Sequence, residues 1–156
     1  MNNTIMASSE KHTWETPQSF FNIVDKHYNF TLDCCAEINT SKVSNYYTKE
    51  DDALIQNWDG IVWCNPPYGR EQIKFIEKAL HEVVVGNAKS VVCLIPSRTE
   101  TKVWQSVIFN NATSVHFIKG RLKFGDSTEN APFPSALVVF GECRGDLGLG
   151  KYFICN

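Results

Sequence analysis

Apolar residues first recur at helical spacing at Phe20, Phe21, Val24 and Tyr28, which fall on one face. Thr16-Pro17 precedes them and predicts a helix start, with Thr16 as N-cap and Pro17 at the first helical position, where its missing N–H costs nothing. Phe30-Thr31-Leu32 runs into Asp33-Cys34-Cys35-Ala36-Glu37, a short buried strand that ends in a working loop, and a second short strand is expected near Val43 to Tyr47. Gly60-Ile61-Val62-Trp63-Cys64 is β-branched and aromatic and is bounded by Asn65-Pro66-Pro67-Tyr68, which marks a central strand. Ile73, Ile76, Leu80, Val83 and Val84 share a helical face closed by Gly86, and Ser90 to Ile95 form a buried strand stopped by Pro96. A helix carrying Val103, Trp104, Val107 and Ile108 follows, then strands at Ser114 to Ile118, Arg121 to Phe124 and Ser135 to Phe140.

This alternation predicts an α/β fold, an open and mostly parallel sheet with an antiparallel end and helices on both faces. Ligands in such sheets bind beyond the carboxyl ends of the strands, where the Asp33 and Asn65 loops lie. Residues 1–12 are polar and are expected to be a mobile lead-in, and 13–156 form one domain. The tail from Arg144 to Asn156, with Gly145, Gly148 and Gly150, is expected to turn into a last apolar strand that completes the sheet or joins subunits.

Charge narrows the partners. With 15 Lys+Arg against 17 Asp+Glu and a net charge of −2, the chain does not coat nucleic acid by charge alone, so such a partner must be argued from a site. Arg70, Arg98, Lys102, Lys119, Arg121 and Lys123 fall in the second half, while Glu37, Glu50, Asp51 and Asp52 crowd the first, which sets a basic face beside an acidic pocket. The six cysteines contain no C-x-x-C pair, and Cys64 and Cys93 sit in apolar runs, so all are expected to be reduced. Neither they nor His12, His27, His81 and His116 show metal-ligand spacing, and no metal is expected. The opening lacks the apolar core of a secretion signal and no apolar run reaches about 18 residues, so a cytoplasmic protein with no membrane partner is expected.

The chemistry concentrates at Asn65-Pro66-Pro67-Tyr68. Two prolines fix the backbone and cannot donate hydrogen bonds, so the loop presents acceptors, the Asn65 side-chain oxygen and the Pro66 carbonyl, next to an aromatic ring. That set suits a planar –NH2 on a ring. Acceptors outside the ring plane draw the amine hydrogens out of it, move nitrogen towards sp3 and aim its lone pair at a methyl donor, with no strong base required. Tyr68 would stack on the base, a contact worth about 1–3 kcal/mol.

Here the sequence resembles the phage-type DNA adenine-N6 methyltransferase (Dam) family, from about Trp14 to Phe140. The matching blocks are Trp14-Glu15-Thr16-Pro17, Leu32-Asp33, Asp51-Asp52-Ala53-Leu54, Trp63 to Arg70, Pro96-Ser97-Arg98-Thr99, Gly120 to Gly125 and Ala131-Pro132-Phe133-Pro134-Ser135. The resemblance implies a Rossmann-like class I methyltransferase fold, S-adenosyl-L-methionine as cofactor, DNA as partner and transfer to adenine N6. It implies cofactor contacts at Thr16, Pro17, Asp33, Ala36, Asp52 and Asn65, and a catalytic loop of Asn65, Pro66, Pro67 and Tyr68. The Gly-x-Gly usual after the first strand is replaced by Cys34-Cys35-Ala36, and neutral Asn65 stands where related amino-methyltransferases carry Asp.

A base inside a duplex cannot reach a pocket, so DNA contact is assigned to Tyr68, Arg70, Arg98, Arg121 and Lys123, with Phe124 expected on the opposite face of an extruded base or in the core. Trp14 is expected in the core or over the cofactor. With no separate target-recognition domain, sequence reading falls to short loops such as Arg98 to Lys102 and Gly125 to Pro134, to a second subunit, or is not strong at all. Two alternatives stay open: RNA adenine or protein glutamine as acceptor, and a silent module that binds DNA or protein without transfer.

Overall fold

The protein is described by a computed structural model over residues 14–125 and 129–155. Its strands are β1 (Leu32–Asp33), β2 (Gly60–Cys64), β3 (Ala88–Pro96), β4 (Ser114–Ile118), β5 (Ser135–Gly141) and β6 (Gly150–Ile154), in the sheet order β1-β2-β3-β5-β4-β6. β1, β2 and β3 pair in parallel, whereas β5 runs antiparallel between β3 and β4, and β6 runs antiparallel to β4. Because β5 reverses between them, β1 through β4 all point one way. The tail therefore completes the sheet. Gly150 starts β6 so close to β4 that a Cβ there would collide with the Phe117 carbonyl.

The strands are apolar on both sides because both sides are covered. Val62, Cys64, Val91, Cys93, Ile95, Ala136, Val138 and Phe140 belong to one core with Ile76 and Ala79 of helix α2 (Glu71–Val84) and with Trp104 and Ile108. The alternating residues Trp63, Val92, Leu94, Leu137 and Val139 form the other core with Phe20, Phe21, Val24 and Tyr28 of helix α1 (Gln18–Tyr28). A period of two in the strands meets one helical stripe on each face. Among the described residues no helix is long and apolar enough to cross a membrane.

Three local expectations are corrected. Thr16 is not the N-cap of α1: Pro17 is, its carbonyl accepting from Phe21 N–H at 3.0 Å, and the Thr16 hydroxyl is used elsewhere. The segment from Val43 to Tyr47 meets β1 only at an Asp33–Tyr46 bridge, since a two-residue strand offers no further edge. Arg121 to Phe124 is a loop: Gly120 and Gly125 flank it at positive φ, and it is pinned by Gly125 N–H to the Glu15 carbonyl and Ala131 N–H to the Leu122 carbonyl. The segment Val103–Ile108 winds as a π-helical turn, Phe109 N–H reaching back to the Trp104 carbonyl. The expected mobile lead-in lies outside the described residues, as do residues 126–128 of the Gly125 to Pro134 loop.

Candidate active site

Since β1, β2 and β3 are parallel, the loops at their carboxyl ends share one edge of the sheet. Asp33 ends β1, Asn65 follows Cys64 at the end of β2, and Arg98 follows Pro96 at the end of β3. A cleft of about 1340 Å³ opens there, lined among others by Thr16, Asp33, Ala36, Lys42, Asp52, Leu54, Asn65, Pro67, Tyr68, Arg70 and Phe75. Beside it lies a smaller cleft of about 530 Å³, lined by Gln72, Arg98, Thr101, Lys102 and Phe133, and Trp14 and Tyr68 line both.

The orientation of Asn65 is dictated by its neighbours. Its Nδ2 donates to the Trp14 carbonyl and to Thr16 Oγ1 at 3.0 Å. A carbonyl can only accept, so the amide nitrogen must face it, and Oδ1 is left buried without a partner. Asn65, a residue of the cleft wall, thus holds an oriented and unused acceptor. Tyr68 Oη and Gln72 Nε2, on side chains that line the two clefts, are buried without partners as well. Burial pushes the Tyr68 phenol well above its ordinary value, so it stays protonated as a donor. Pro66 is buried behind the loop and Pro17 lies outside both linings.

Four aromatic rings surround this point. Trp14 faces Tyr68 nearly parallel, centroids 6.3 Å apart and planes 24° from each other. Phe133 meets Tyr68 edge-on at 5.3 Å and 72°. Phe124 is buried and stands edge-on to Tyr68 at 86° and to Trp14 at 71°, so it does not present a face opposite Tyr68. Trp14 holds that position instead. Sequence reasoning placed Trp14 in the core or over the cofactor but not against Tyr68, because the two are brought together by contacts remote along the chain, among them the Asn65 hydrogen bond to the Trp14 backbone and the Phe124 and Phe133 rings.

At the other end of the large cleft, Asp33 is buried, and its carboxylate accepts from Lys42 N–H at 2.9 Å and Cys35 N–H at 3.3 Å. It shapes its own loop while retaining lone pairs; burial raises its pKa, opposed by those two amides. Asp51 caps its turn through Thr48 N–H at 2.8 Å, whereas Asp52 sits at φ 52°, a left-handed conformation costly for a non-glycine, and lines the cleft. That loop is held from behind: buried Glu82 accepts from Trp58 N–H at 2.5 Å and pairs with Lys78 at 3.7 Å, and Trp58 Nε1 donates to the Ala53 carbonyl at 2.9 Å. Lys42 is a cleft residue that sequence reasoning missed, a lone lysine in a polar loop; its side chain is 6% exposed and its ammonium lies 3.8 Å from Glu15 and 3.1 Å from Gln18 Oε1.

The basic residues divide. Arg70 lines the large cleft and Arg98 the small one, while Arg121 and Lys123 are exposed on the loop beyond and line neither. All six cysteines are unpaired. Three of them nevertheless converge: the sulfurs of Cys34, Cys35 and Cys64 all lie within 4.8 Å of one another, a cluster that spacing along the chain conceals because Cys64 arrives from the neighbouring strand. Burial opposes ionisation of Cys35, but hydrogen bonds from the Cys34 and Cys64 thiols bring its pKa down to about 6.

An α/β sheet whose carboxyl edge carries an Asn-Pro-Pro-Tyr loop beside a large open cleft is consistent with the methyltransferase class. The chain belongs to the DNA N-6-adenine-methyltransferase (Dam) family, whose sequence profile matches residues 3–143. It is 32% identical over 140 residues to the DNA N-6-adenine-methyltransferase of Haemophilus phage HP1, covering 85% of this chain and 80% of the relative. It is also 33% identical over 63 residues to the "Putative methyltransferase YfdM" of Escherichia coli K12, covering 35% of this chain and 69% of that protein.

Proposed function

We propose that the protein is a single catalytic domain of Rossmann-like type that methylates the exocyclic amine of an extruded DNA adenine with S-adenosyl-L-methionine as donor. The observation that supports this most is the Asn65 amide, fixed by the Trp14 carbonyl and Thr16 hydroxyl so that Oδ1 remains an unpartnered acceptor at the cleft. That is the group an amine hydrogen needs.

The large cleft fits the cofactor in size and chemistry, exceeding the roughly 300–1,000 Å³ of ordinary ligand sites and so leaving room for a base beside it. Leu54 and Phe75 give apolar walls for a purine, Asp52 an acceptor for its amino group, and Lys42 with Thr16 polar partners for a carboxylate, with Asp33 and Ala36 at the floor. When bound, the cofactor supplies an electrophilic methyl group. The chain's part is orientation: Asn65 Oδ1 accepts an amine hydrogen, and the ring of Tyr68 or of Trp14 stacks on a face of the base. Arg70, Arg98, Lys102, Arg121 and Lys123 are exposed and serve the phosphates. Target selection is assigned to the loops after Pro96 and before Ser135, and the setting is a bacterial host cytoplasm.

The test is quantification of N6-methyladenine by mass spectrometry after incubating the protein with unmethylated DNA and the cofactor. Product that disappears in Asn65→Ala is expected. Product on RNA or on protein glutamine alone would move the acceptor, and cofactor binding without any product would favour a silent module.

A further inference from the structure

The function proposed above uses neither Cys34, Cys35 nor Cys64. They come from two places, the loop that leaves β1 and the last residue of β2, and meet because those strands are parallel neighbours in register. Cys93 lies directly across from Cys64 on β3. Buried cysteines ordinarily act as small hydrophobes scattered through a core. These three instead gather at the carboxyl edge, and Cys34 and Cys35 line the large cleft, so the group can be reached from solvent.

We infer that Cys34, Cys35 and Cys64 form a binding site for one soft, thiophilic metal ion of the Zn2+ or Cd2+ kind, reached through the cleft. Three thiolates around an ion at Zn–S distances of about 2.3 Å stand roughly 4 Å from each other. The sulfurs here already lie within 4.8 Å, so side-chain rotations moving them by less than about 1 Å close the shell. A fourth position is left towards the cleft for water. Asp33, whose carboxylate accepts from the Cys35 backbone N–H, adds negative charge beside the ion, which favours a cation and orients the loop that carries two of the ligands. Binding releases the thiol protons to solvent, so affinity rises with pH.

The site stands on the thiols alone and does not depend on methyl transfer. The test uses the full, reduced chain and Cd2+ as probe, read by the ultraviolet thiolate-to-metal charge-transfer absorbance, with Zn2+ as competitor. One ion per chain with the absorbance of three thiolates is expected. Cys35→Ser and Cys64→Ser should each weaken binding more than the roughly 10–100-fold that loss of an outer-shell partner costs, while Cys143→Ser and Cys155→Ser leave it unchanged. Because Cys64 is fully buried and its variant can fail to fold, a second measurement is made on the unaltered protein: one equivalent of Cd2+ should protect Cys35 from alkylation, mapped by mass spectrometry, and leave the rate at Cys143 alone. Absorbance that survives both cluster variants, absorbance that is lost with Cys143→Ser or Cys155→Ser, or protection at Cys143 in place of Cys35 would overturn the assignment.

Discussion

Replacing Asn65 by Ala removes one acceptor from the cleft and two donated hydrogen bonds from its wall, and the two losses are read in different assays. The catalytic loss follows from Oδ1, which is unpartnered in the fold and to which the proposed function gives an amine hydrogen. Removing a single oriented group of this kind costs about 2.7–4 kcal/mol of transition-state stabilisation, a fall of roughly a hundredfold to a thousandfold in kcat. The structural loss follows from Nδ2, whose removal leaves the Trp14 carbonyl and the Thr16 hydroxyl without it. About 1–3 kcal/mol of stability goes with them, and Trp14 loses one of the ties that hold it opposite Tyr68. Single-turnover transfer of a labelled methyl group to a short duplex measures the first, urea unfolding the second, and calorimetric titration of the cofactor should remain within about tenfold because the remaining lining residues are intact. A folded Asn65→Ala protein that methylates DNA at the original rate would refute the assignment of Oδ1. One that loses activity only in proportion to its unfolded fraction would show that the residue is a strut.

Four further outcomes follow from the same geometry. Trp14→Ala should weaken extrusion of a 2-aminopurine placed at the target by about 1–3 kcal/mol, read as fluorescence on titrating the duplex, whereas an equal response would return Trp14 to a purely structural role. Glu82→Ala strips the buried partner from Trp58 N–H and Lys78, so urea unfolding should show a loss of about 2–4 kcal/mol, with an unchanged midpoint disproving the tie that positions the Asp52 loop. Burial lowers the pKa of His116 from the ordinary 6.5, so the unfolded chain takes up the proton first as pH falls; its share of stability is complete above about pH 6.5 and is lost below it, and the slope of melting temperature over that window should flatten in His116→Phe. Buried Asp33 acts in the opposite sense, its raised pKa favouring the fold as pH drops towards the ordinary value of 3.8. Arg98→Ala with Lys102→Ala should weaken duplex binding equally for all sequences and reduce the slope of log affinity on log salt by about 1–2, and a change confined to one sequence would make them base readers.

The elements that could be foreseen are those whose pattern is local. α1 and α2 bury one helical stripe each, β2, β3 and β5 are continuous apolar runs, and the proline pair after Cys64 stops its strand wherever the rest of the chain lies. Arg121 to Phe124 misled because alternating Leu122 and Phe124 look like a strand, yet both turn inward from a loop fixed by contacts to Glu15 and Ala131, remote in sequence. Thr16 misled in the same way: a threonine before proline is a sound local cap, but a partner 49 positions away claims its hydroxyl. The pattern of failure is informative about the site itself. Asn65 is oriented by Trp14 and Thr16, the ring opposite Tyr68 is Trp14, and Cys35 is completed by Cys64, so each feature joins the edge of one strand to a segment distant along the chain. Parallel strands require this, since their carboxyl ends are separated by a full crossover in sequence while lying side by side in space. A functional edge made this way is legible residue by residue, as the acceptor loop was. Which residues complete one another there is set by the sheet order and by the segment leading into α1.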